Sequence, residues 1–546
     1  MGKTVIYQVF TRLFGNDNPH PVKGGTIEQN GSGKLADFTP KALAQIRQMG
    51  ATHVWYTGVI AHASQTDYTA FGLPLNHPAV VKGKAGSPYA IRDYYDIDPD
   101  LAVNVPDRMK EFEKLVARTH KAGMGVIIDF VPNHVARQYH SVVAPAGVRD
   151  LGQDDDTDKA FLPNNNFYYV PGKAFAPSFA TDGYSELPAK ATGNDHFSPH
   201  PGMNDWYETV KLNYGVDYMG GKACHFNPVP DTWHKMLHIL LYWADKQIDG
   251  FRCDMAEMVP AEFWAWATAQ VKEAYPAVVF IGEVYNPTEY RHYIASGFDY
   301  LYDKVGMYDT MRAVTCQQTH VGAITQAWQA VDDIADNMLY FLENHDEQRV
   351  ASDFFAGCGL RGVPALAASV LMRVNPFMLY AVEEYGEMGM DKEGFSGVDG
   401  RTTIFDYWSI DTLCRAAWNH LSDDEKKLYE ITCRLMNIAQ TETVVSEGTF
   451  FDLMYVNGHL ERQYVFLRQH EKELLLVAVN FDGNACDIPV TIPAHAFEYL
   501  SMEEKVSQAA DLLSDNKCRI SLKADEPFNL HIEGWSAVAF KMKCKK

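Results

Sequence analysis

Three apolar runs in the sequence end in acidic residues. Asp254 follows one run, with Arg252 two positions before it; Glu283 follows a second run, and His345-Asp346 closes a third. Such a run is typical of a buried strand, and an acid placed directly after a strand is held in a fixed position. Carboxylates that meet at strand ends could protonate a leaving oxygen and attack a sugar carbon. The residue types therefore favour glycosidic bond cleavage.

The same carboxylates could instead hold a divalent cation in a metal-dependent hydrolase. Arg252 argues against that alternative because its positive charge would lie close to the metal. Beside a nucleophilic carboxylate, the same charge favours the ionised form of Asp254. Any one of these acids taken alone is more often a helix cap or a surface residue, so the prediction depends on their convergence.

The elements that must position these acids follow an alternation of strand-like and helix-like runs. Eight strand-like runs are predicted, at residues 5–10, 52–56, 125–130, 248–254, 278–283, 298–302, 338–342 and 377–381. Eight strands with intervening helices predict a (β/α)₈ barrel of the α/β class, a TIM barrel. The active site of such a barrel lies at the carboxyl ends of its strands, where Asp129 and Asn133-His134 would join the three acids.

Two stretches depart from this alternation. Residues 132–228 are rich in Asn, Asp, Gly, Pro and Tyr without clear periodicity, which predicts an insertion domain after the third strand. From residue 445 the pattern changes to alternating runs separated by turn residues, which predicts a C-terminal antiparallel β-sandwich domain. The predicted domains are 1–131 and 229–444 for the two parts of the barrel, 132–228 for the insertion and 445–546 for the β domain.

Composition limits the classes of partner. The 546 residues are 47% hydrophobic and carry a formal net charge of −22, so we expect neither nucleic acid nor an anionic membrane as a partner. The nine cysteines contain no C-x-x-C pair and indicate neither a disulfide framework nor a structural zinc site. No signal peptide or membrane-spanning run is recognised, which predicts a cytoplasmic protein, or a secreted or periplasmic one if a leader was removed. The oligomeric state is not predicted.

Four short motifs resemble those of the α-amylase family, glycoside hydrolase family 13. They are Asp129-Phe130-Val131-Pro132-Asn133-His134, Gly250-Phe251-Arg252-Cys253-Asp254, Gly282-Glu283-Val284 and Asn344-His345-Asp346. The motifs occur in the family's order, and the resemblance covers essentially the whole chain. It implies a barrel with an insertion after the third strand and a β domain at the end.

The resemblance also implies roles for individual residues. Asp254 would be the nucleophile and Glu283 the general acid and base, while Asp346 would bind and distort the sugar. The family retains the anomeric configuration through a covalent intermediate. The implied substrate-binding residues are Asp129, His134, Arg252 and His345. Tyr89, in the segment Ser87-Pro88-Tyr89, resembles the family's stacking tyrosine, with an ordinary loop tyrosine as the alternative reading.

Two departures from the family pattern bear on calcium. Typical amylases have Lys-His after the nucleophile motif where this chain has Glu257-Met258, and Asn133 would be a calcium ligand in those enzymes. Val210-Lys211-Leu212-Asn213 resembles the version found in neopullulanases and cyclomaltodextrinases, in which a lysine replaces the charge of the metal. We therefore expect no required cofactor. Calcium is kept as an optional ion, with Asn133 as its candidate ligand.

The implied substrate is an α-glucan oligosaccharide. We expect hydrolysis of α-1,4 bonds in maltooligosaccharides or maltodextrins, with α-1,6 bonds as a second candidate. A transglycosylase or glucoside isomerase of the same family would use the same three acids and remains an alternative. A non-catalytic glycan-binding protein is an alternative of another class, although such relatives typically lose acids that this chain retains.

Overall fold

The computed structural model describes residues 2–389 and 398–544, and its central element is a closed barrel of eight parallel strands. We label these strands β1 to β8 in chain order. They are β1 (Val5–Phe10), β2 (His53–Thr57), β3 (Gly125–Phe130), β4 (Gly250–Cys253), β5 (Val279–Gly282), β6 (Tyr300–Tyr302), β7 (Met338–Phe341) and β8 (Phe377–Tyr380). β8 pairs with β1 and closes the ring. The predicted barrel is confirmed.

Helices follow the barrel strands along the chain. Helices of the barrel region include Pro40–Met49, Arg108–Lys121, Asp231–Asp245, Ala261–Ala274, Tyr290–Ala295, Asp309–Thr315, Gly322–Ala330, Val363–Leu371, Asp411–Ala417 and Asp423–Thr441. Short helices span Ile27–Asn30, Thr443–Ser446 and Ala494–Tyr499. None of the helices in the described part of the chain combines the length and apolarity needed to cross a bilayer.

The first barrel helix, Pro40–Met49, illustrates how local sequence determines the element bounds. The Thr39 side chain accepts a hydrogen bond from Ala42 N–H at 3.2 Å, and Pro40 occupies the first helical position, where its missing N–H costs nothing. Gly50 ends the helix with φ of +119°. A Cβ on Gly50 would lie 2.8 Å from the backbone of Met436, so both the conformation and the packing require glycine.

The strand period places Arg252 inside the barrel. Phe251 and Cys253 flank it in β4 and are buried with other apolar side chains in the hydrophobic core. Because alternate residues of a strand point to opposite faces, Arg252 points the other way, and it is fully buried. In the strand register Arg252 lies beside Asp129 of β3 and Ile281 of β5.

Long excursions leave the barrel at the carboxyl ends of β2 and β3. The first contains an antiparallel pair, Ile60–His62 with Ile91–Ile97, and carries Tyr89. The second lies in the predicted insertion and contains His134–Ala136 with Thr209–Lys211, Tyr169–Val170 with Ala189–Lys190, and Val216–Asp217 with Ala223–Cys224. The excursion after β2 was not predicted as a structural unit.

The C-terminal region is antiparallel, as predicted. Its strands are β9 (Thr449–Asp452), β10 (Gln463–His470), β11 (Glu473–Asn480), β12 (Cys486–Val490), β13 (Lys505–Asp511), β14 (Lys517–Leu522), β15 (Phe528–Ile532) and β16 (Ser536–Lys543). Six of them form one sheet in the order β9-β10-β11-β16-β13-β14, and β12 pairs with β15 in a second sheet that contacts the first.

Candidate active site

Two of the predicted catalytic acids extend the barrel ladder by one residue. Asp254 N–H donates to the carbonyl of Phe130 at 2.9 Å, and Glu283 N–H donates to the carbonyl of Cys253 at 3.1 Å. The main chain of each acid is therefore held by the strand next to its own. Met255 N–H also donates to Glu283 Oε2 at 2.8 Å, which orients the Glu283 carboxylate.

Arg252 connects these two acids. Its Nη1 lies 2.8 Å from Asp254 Oδ1 and its Nη2 lies 2.8 Å from Glu283 Oε2, while the whole side chain is buried. Its Nε donates to the hydroxyl of Tyr302 at 3.2 Å. One guanidinium therefore serves both carboxylates, rather than Asp254 alone as the sequence analysis expected.

Burial strongly affects the ionisation of Asp254. Desolvation raises the pKa of this carboxyl, Arg252 lowers it, and the nearby Glu283 raises it again; the net shift is well above the ordinary value. Arg252 therefore lessens the effect of burial on Asp254 but does not cancel it, contrary to the expectation that this arginine keeps the carboxyl ionised.

Asp346 occupies a different environment at the end of β7. Its Oδ2 lies 3.0 Å from His345 Nε2, and its side chain is 41% exposed. Desolvation opposes ionisation, but the His345 ring and Arg252 outweigh it and lower the pKa of Asp346 to about 2. Asp346 is therefore an anion at neutral pH.

His345 and Tyr89 form a stacked pair beside Asp346. Their ring centroids are 5.2 Å apart with an interplanar angle of 27°, and the Tyr89 hydroxyl is hydrogen-bonded to His345 Nε2. Gln8 Nε2 lies 2.8 Å from the other ring nitrogen, His345 Nδ1. These contacts hold the imidazole and the tyrosine ring in fixed orientations.

Asp129 lies in β3, beside Arg252 in the strand register. Trp55 Nε1 and Gly58 N–H each donate to its Oδ2 at 3.2 Å, and the Tyr89 hydroxyl lies 3.4 Å from its Oδ1. Burial raises the pKa of Asp129 although Arg252 opposes the shift. The contacts suit a residue that supports Tyr89 and Arg252 from beneath.

The predicted residues surround a cavity of about 470 Å³, which we call the catalytic cavity. Five of them line it, namely Tyr89, His134, Asp254, Glu283 and Asp346. Asp129, Arg252 and His345 are buried behind this lining and contact it. A cavity of this size falls within the roughly 300–1,000 Å³ usual for small-molecule sites.

His134 reaches the cavity from the β3 side. Its ring packs against Trp206 with centroids 5.2 Å apart. Burial, together with the nearby Lys211 and Lys82, lowers the pKa of His134 to about 3. The imidazole is therefore neutral at physiological pH and can offer one donor and one acceptor.

Sequence reasoning missed several residues that line the catalytic cavity. Tyr285 donates its hydroxyl proton to Glu283 Oε1 at 2.5 Å, and Trp206 supplies an aromatic wall. The cations Lys304 and Arg401 also line it. Tyr285 could have been found, because it lies two positions after Glu283 on a chain that continues from β5. The other three come from separate loops, and nothing in their local sequence indicates the cavity.

Asn133 does not line the catalytic cavity, and its side chain is hydrogen-bonded to a lysine. Its Oδ1 accepts a hydrogen bond from Lys211 Nζ, which also lies 2.7 Å from Asp195 Oδ1 and 3.3 Å from the Met258 carbonyl. An ammonium group thus sits among oxygen atoms of the kind that calcium prefers. The residues around Asn133 do not fit a calcium ion while Lys211 is charged.

One known family model matches most of the chain. Residues 8–432 match the family model described as the alpha amylase catalytic domain. The chain belongs to the alpha-amylase family. This match confirms the resemblance of the four motifs and identifies the protein as an enzyme of a glycoside hydrolase family.

Individual relatives of this alpha-amylase family member are distant. Alpha-amylase 3 of Dictyoglomus thermophilum is 24% identical over 401 residues, which are 66% of this chain and 69% of that enzyme. Neopullulanase 2 of Thermoactinomyces vulgaris is 22% identical over 376 residues, which are 65% of this chain and 52% of that enzyme.

A solved structure supports the fold alone. The maltogenic alpha-amylase AmyB from Thermotoga neapolitana superposes with a TM-score of 0.64 at 20% sequence identity, covering 99% of both chains.

Proposed function

We propose that this protein is a retaining α-glucan hydrolase that cleaves α-1,4-glucosidic bonds of maltooligosaccharides by double displacement, with α-1,6 bonds as a second bond type to be tested. The observation that carries the proposal is the pair formed by Asp254 and Glu283 on a single buried guanidinium at the cavity wall. Retaining glycosidases need a closely spaced nucleophile and acid, about 5–5.5 Å apart, rather than a pair separated by a water molecule.

In the first step, an Asp254 carboxylate oxygen attacks the anomeric carbon of the sugar. The bond from that carbon to the glycosidic oxygen breaks, and Glu283 gives its proton to the departing oxygen. In the second step, Glu283 takes a proton from water, whose oxygen attacks the same carbon and releases Asp254. The proton on Glu283 and the charge on Asp254 are restored.

The surrounding residues match the needs of these steps. Arg252 lies 2.8 Å from one oxygen of each acid, so its charge favours the carboxylate form of Asp254 that attacks the sugar. Asp346, ionised by its contact with His345, supplies acceptors for sugar hydroxyls. Tyr89 presents an aromatic ring on which the C–H face of a sugar can stack.

We also propose that the enzyme needs no calcium. The support is the contact of the Lys211 ammonium with Asn133, Asp195 and the Met258 carbonyl, which places a fixed positive charge where a bound cation would otherwise be held. The lysine is covalently part of the chain, so its ammonium group does not dissociate from this position as a bound ion can.

A product profile tests the proposed activity. Maltoheptaose, β-cyclodextrin, pullulan, isomaltose, sucrose and trehalose are incubated separately, and products are followed by chromatography with NMR detection of the first-formed anomer. Hydrolysis of maltoheptaose to shorter products with an initial α anomer is expected. An initial β anomer would contradict retention, and longer transfer products formed without a net increase in reducing ends would indicate transglycosylation in place of hydrolysis.

A further inference from the structure

A cleft larger than the catalytic cavity lies elsewhere on the molecule. It has a volume of about 1,170 Å³ and lies between the barrel and the C-terminal β domain. We call it the junction cleft and define it by Trp328, Asp332 and Arg373 on the barrel side and Phe450, Tyr455 and Tyr499 on the other side.

The junction cleft lies at the opposite end of the barrel from the catalytic acids. Asp336, which also lines it, precedes β7, whereas Asp346 of the catalytic cavity follows the same strand. Arg373 likewise precedes β8. The two cavities share no lining residue, so a ligand in the junction cleft would not touch the reacting groups.

Exposed aromatic rings flank the entrance of the cleft. Tyr499 is 66% exposed and Tyr455 is 57% exposed. Both rings pack around Phe451, with centroid distances of 5.9 Å and 6.4 Å, and the Tyr455 hydroxyl is hydrogen-bonded to His495 at 2.6 Å. These contacts fix the rings while leaving much of their surface open. Fixed, open aromatic surface binds ligands at a low entropic cost.

Polar groups at the bottom of the cleft are held in place. The guanidinium carbon of Arg373 lies 5.4 Å from the ring centroids of both Trp328 and Phe450, and its Nη2 donates to Asp332 at 2.8 Å. The Trp328 indole N–H donates to Asp452 at 2.9 Å. These contacts hold the Arg373 and Trp328 side chains in place at the wall of the cleft.

The charge of the lining narrows the ligand class. Five carboxylates line the cleft, from Asp332, Asp336, Glu447, Asp452 and Glu498. Arg373 is the arginine among the lining residues, and it already pairs with Asp332. An anionic ligand would be repelled, whereas a neutral polyhydroxylated ligand can donate to the exposed carboxylates of Asp332, Asp336 and Glu498 and stack its C–H faces on the rings.

We propose that the junction cleft is a second carbohydrate-binding site that holds a neutral α-glucan chain away from the catalytic cavity. The choice of an α-glucan among neutral sugars rests on the proposed function; the selection of a neutral polyhydroxylated ligand does not. A chain bound in both places would be held by two sites on one molecule, which raises the effective concentration of long substrates at the catalytic cavity.

Calorimetric titration of maltoheptaose into the full-length Asp254→Asn variant tests this site without hydrolysis. Two binding events are expected. Replacing both rings in that background, Tyr455→Ala with Tyr499→Ala, should remove one event or weaken it at least tenfold, while Tyr499→Phe alone should keep both because the ring remains. Tyr275→Ala is the matched control, since Tyr275 is a partly exposed tyrosine that lines neither cavity.

A single binding event in Asp254→Asn, or two events that survive the loss of both rings, would overturn the inference. Conversion of a dimer to a monomer by the same ring variants, measured by sedimentation, would also overturn it, because the cleft would then be an interface between two copies.

Steady-state kinetics in the wild-type background separates this site from the catalytic one. The double ring variant should raise the KM for soluble amylose several-fold and leave kcat/KM for maltotriose within twofold. Equal losses on both substrates would overturn the inference. If the wild-type protein hydrolyses no α-glucan and maltoheptaose still binds at the rings, the proposed function fails while the second site stands.

Discussion

Two arginine–carboxylate groups lie at the same end of this barrel and differ in what surrounds them. Arg252 contacts Asp254 and Glu283 beside the catalytic cavity of about 470 Å³. Arg349, equally buried, contacts Glu343 after β7, where the adjoining space is only about 10 Å³. The Arg252 group borders a cavity large enough for a substrate. The space beside the Arg349 group is too small for one, and we call this second group the sealed cluster.

The carboxylates of the two groups also differ in how many of their oxygens the protein itself hydrogen-bonds. Glu343 accepts from Arg349 at 2.8 Å and from Val350 N–H at 2.6 Å, and Arg349 also donates to Thr402 and the Ala381 carbonyl. The protein itself thus uses both oxygens of Glu343, whereas Asp254 presents its carboxylate to the cavity. In the proposed mechanism the same residue types serve chemistry in one place and stability in the other, because open space decides which lone pairs remain available.

The largest effect should come from the catalytic group. We expect Asp254→Asn and Glu283→Gln each to lower kcat/KM on maltoheptaose by about 10⁴-fold or more, since each removes a group that acts as part of a unit. The melting temperature should change little, because Arg252 keeps the other carboxylate of the pair as its anion. Retention of near-wild-type turnover by either variant would refute the mechanism.

The sealed cluster should show the reverse behaviour. Glu343→Gln leaves the buried Arg349 without its anion and should lower the free energy of unfolding by about 3–5 kcal/mol, measured by denaturant titration. Activity of the remaining folded protein should stay close to wild type, because Glu343 does not line the catalytic cavity. If this variant kept its stability and lost its turnover, the distinction between the two groups would be wrong.

A smaller effect is expected on the pH dependence of the free energy of unfolding. Glu384 lies near this cluster, where burial raises its pKa to about 7 and the Tyr7 hydroxyl donates to it at 2.9 Å. The folded protein binds this proton more tightly than the unfolded chain, so its stabilising contribution is complete below the ordinary carboxyl pKa and is lost as pH rises to about 7. We expect Glu384→Gln to reduce this loss, measured as unfolding free energies between pH 4.5 and 8. Parallel pH profiles for both proteins would exclude Glu384 as the source.

The smallest expected effect is that of chelation. EDTA should shift the melting temperature of the wild-type protein by no more than a degree or so, because Lys211 supplies the charge near Asn133. Lys211→Met is the matched variant, and its loss of stability should be partly recovered by added calcium, since Asn133 and Asp195 then lack their cation. A large fall in the wild-type melting temperature with EDTA, reversed by calcium, would contradict the prediction.

Barrel strands and catalytic motifs could be predicted because both are local. The runs at 5–10 and 125–130 match β1 and β3 residue for residue, and a strand that ends in an acid at the barrel mouth places that acid near the others. The excursion after β2 could not be predicted as a unit, since its pair Ile60–His62 with Ile91–Ile97 joins residues about thirty positions apart without a periodic signal.

Sequence alone determined the alternation that makes a barrel and the acids that end its strands. The tertiary structure decided which acid faces open space. Glu343 and Asp346 are three residues apart after one strand, yet Glu343 is sealed against Arg349 while Asp346 lines the catalytic cavity. The tertiary structure also places Arg252 in contact with two carboxylates and brings Lys211 to Asn133, 78 positions away in the chain. Such contacts depend on how loops from different strands close over the barrel, and no local pattern encodes that closure.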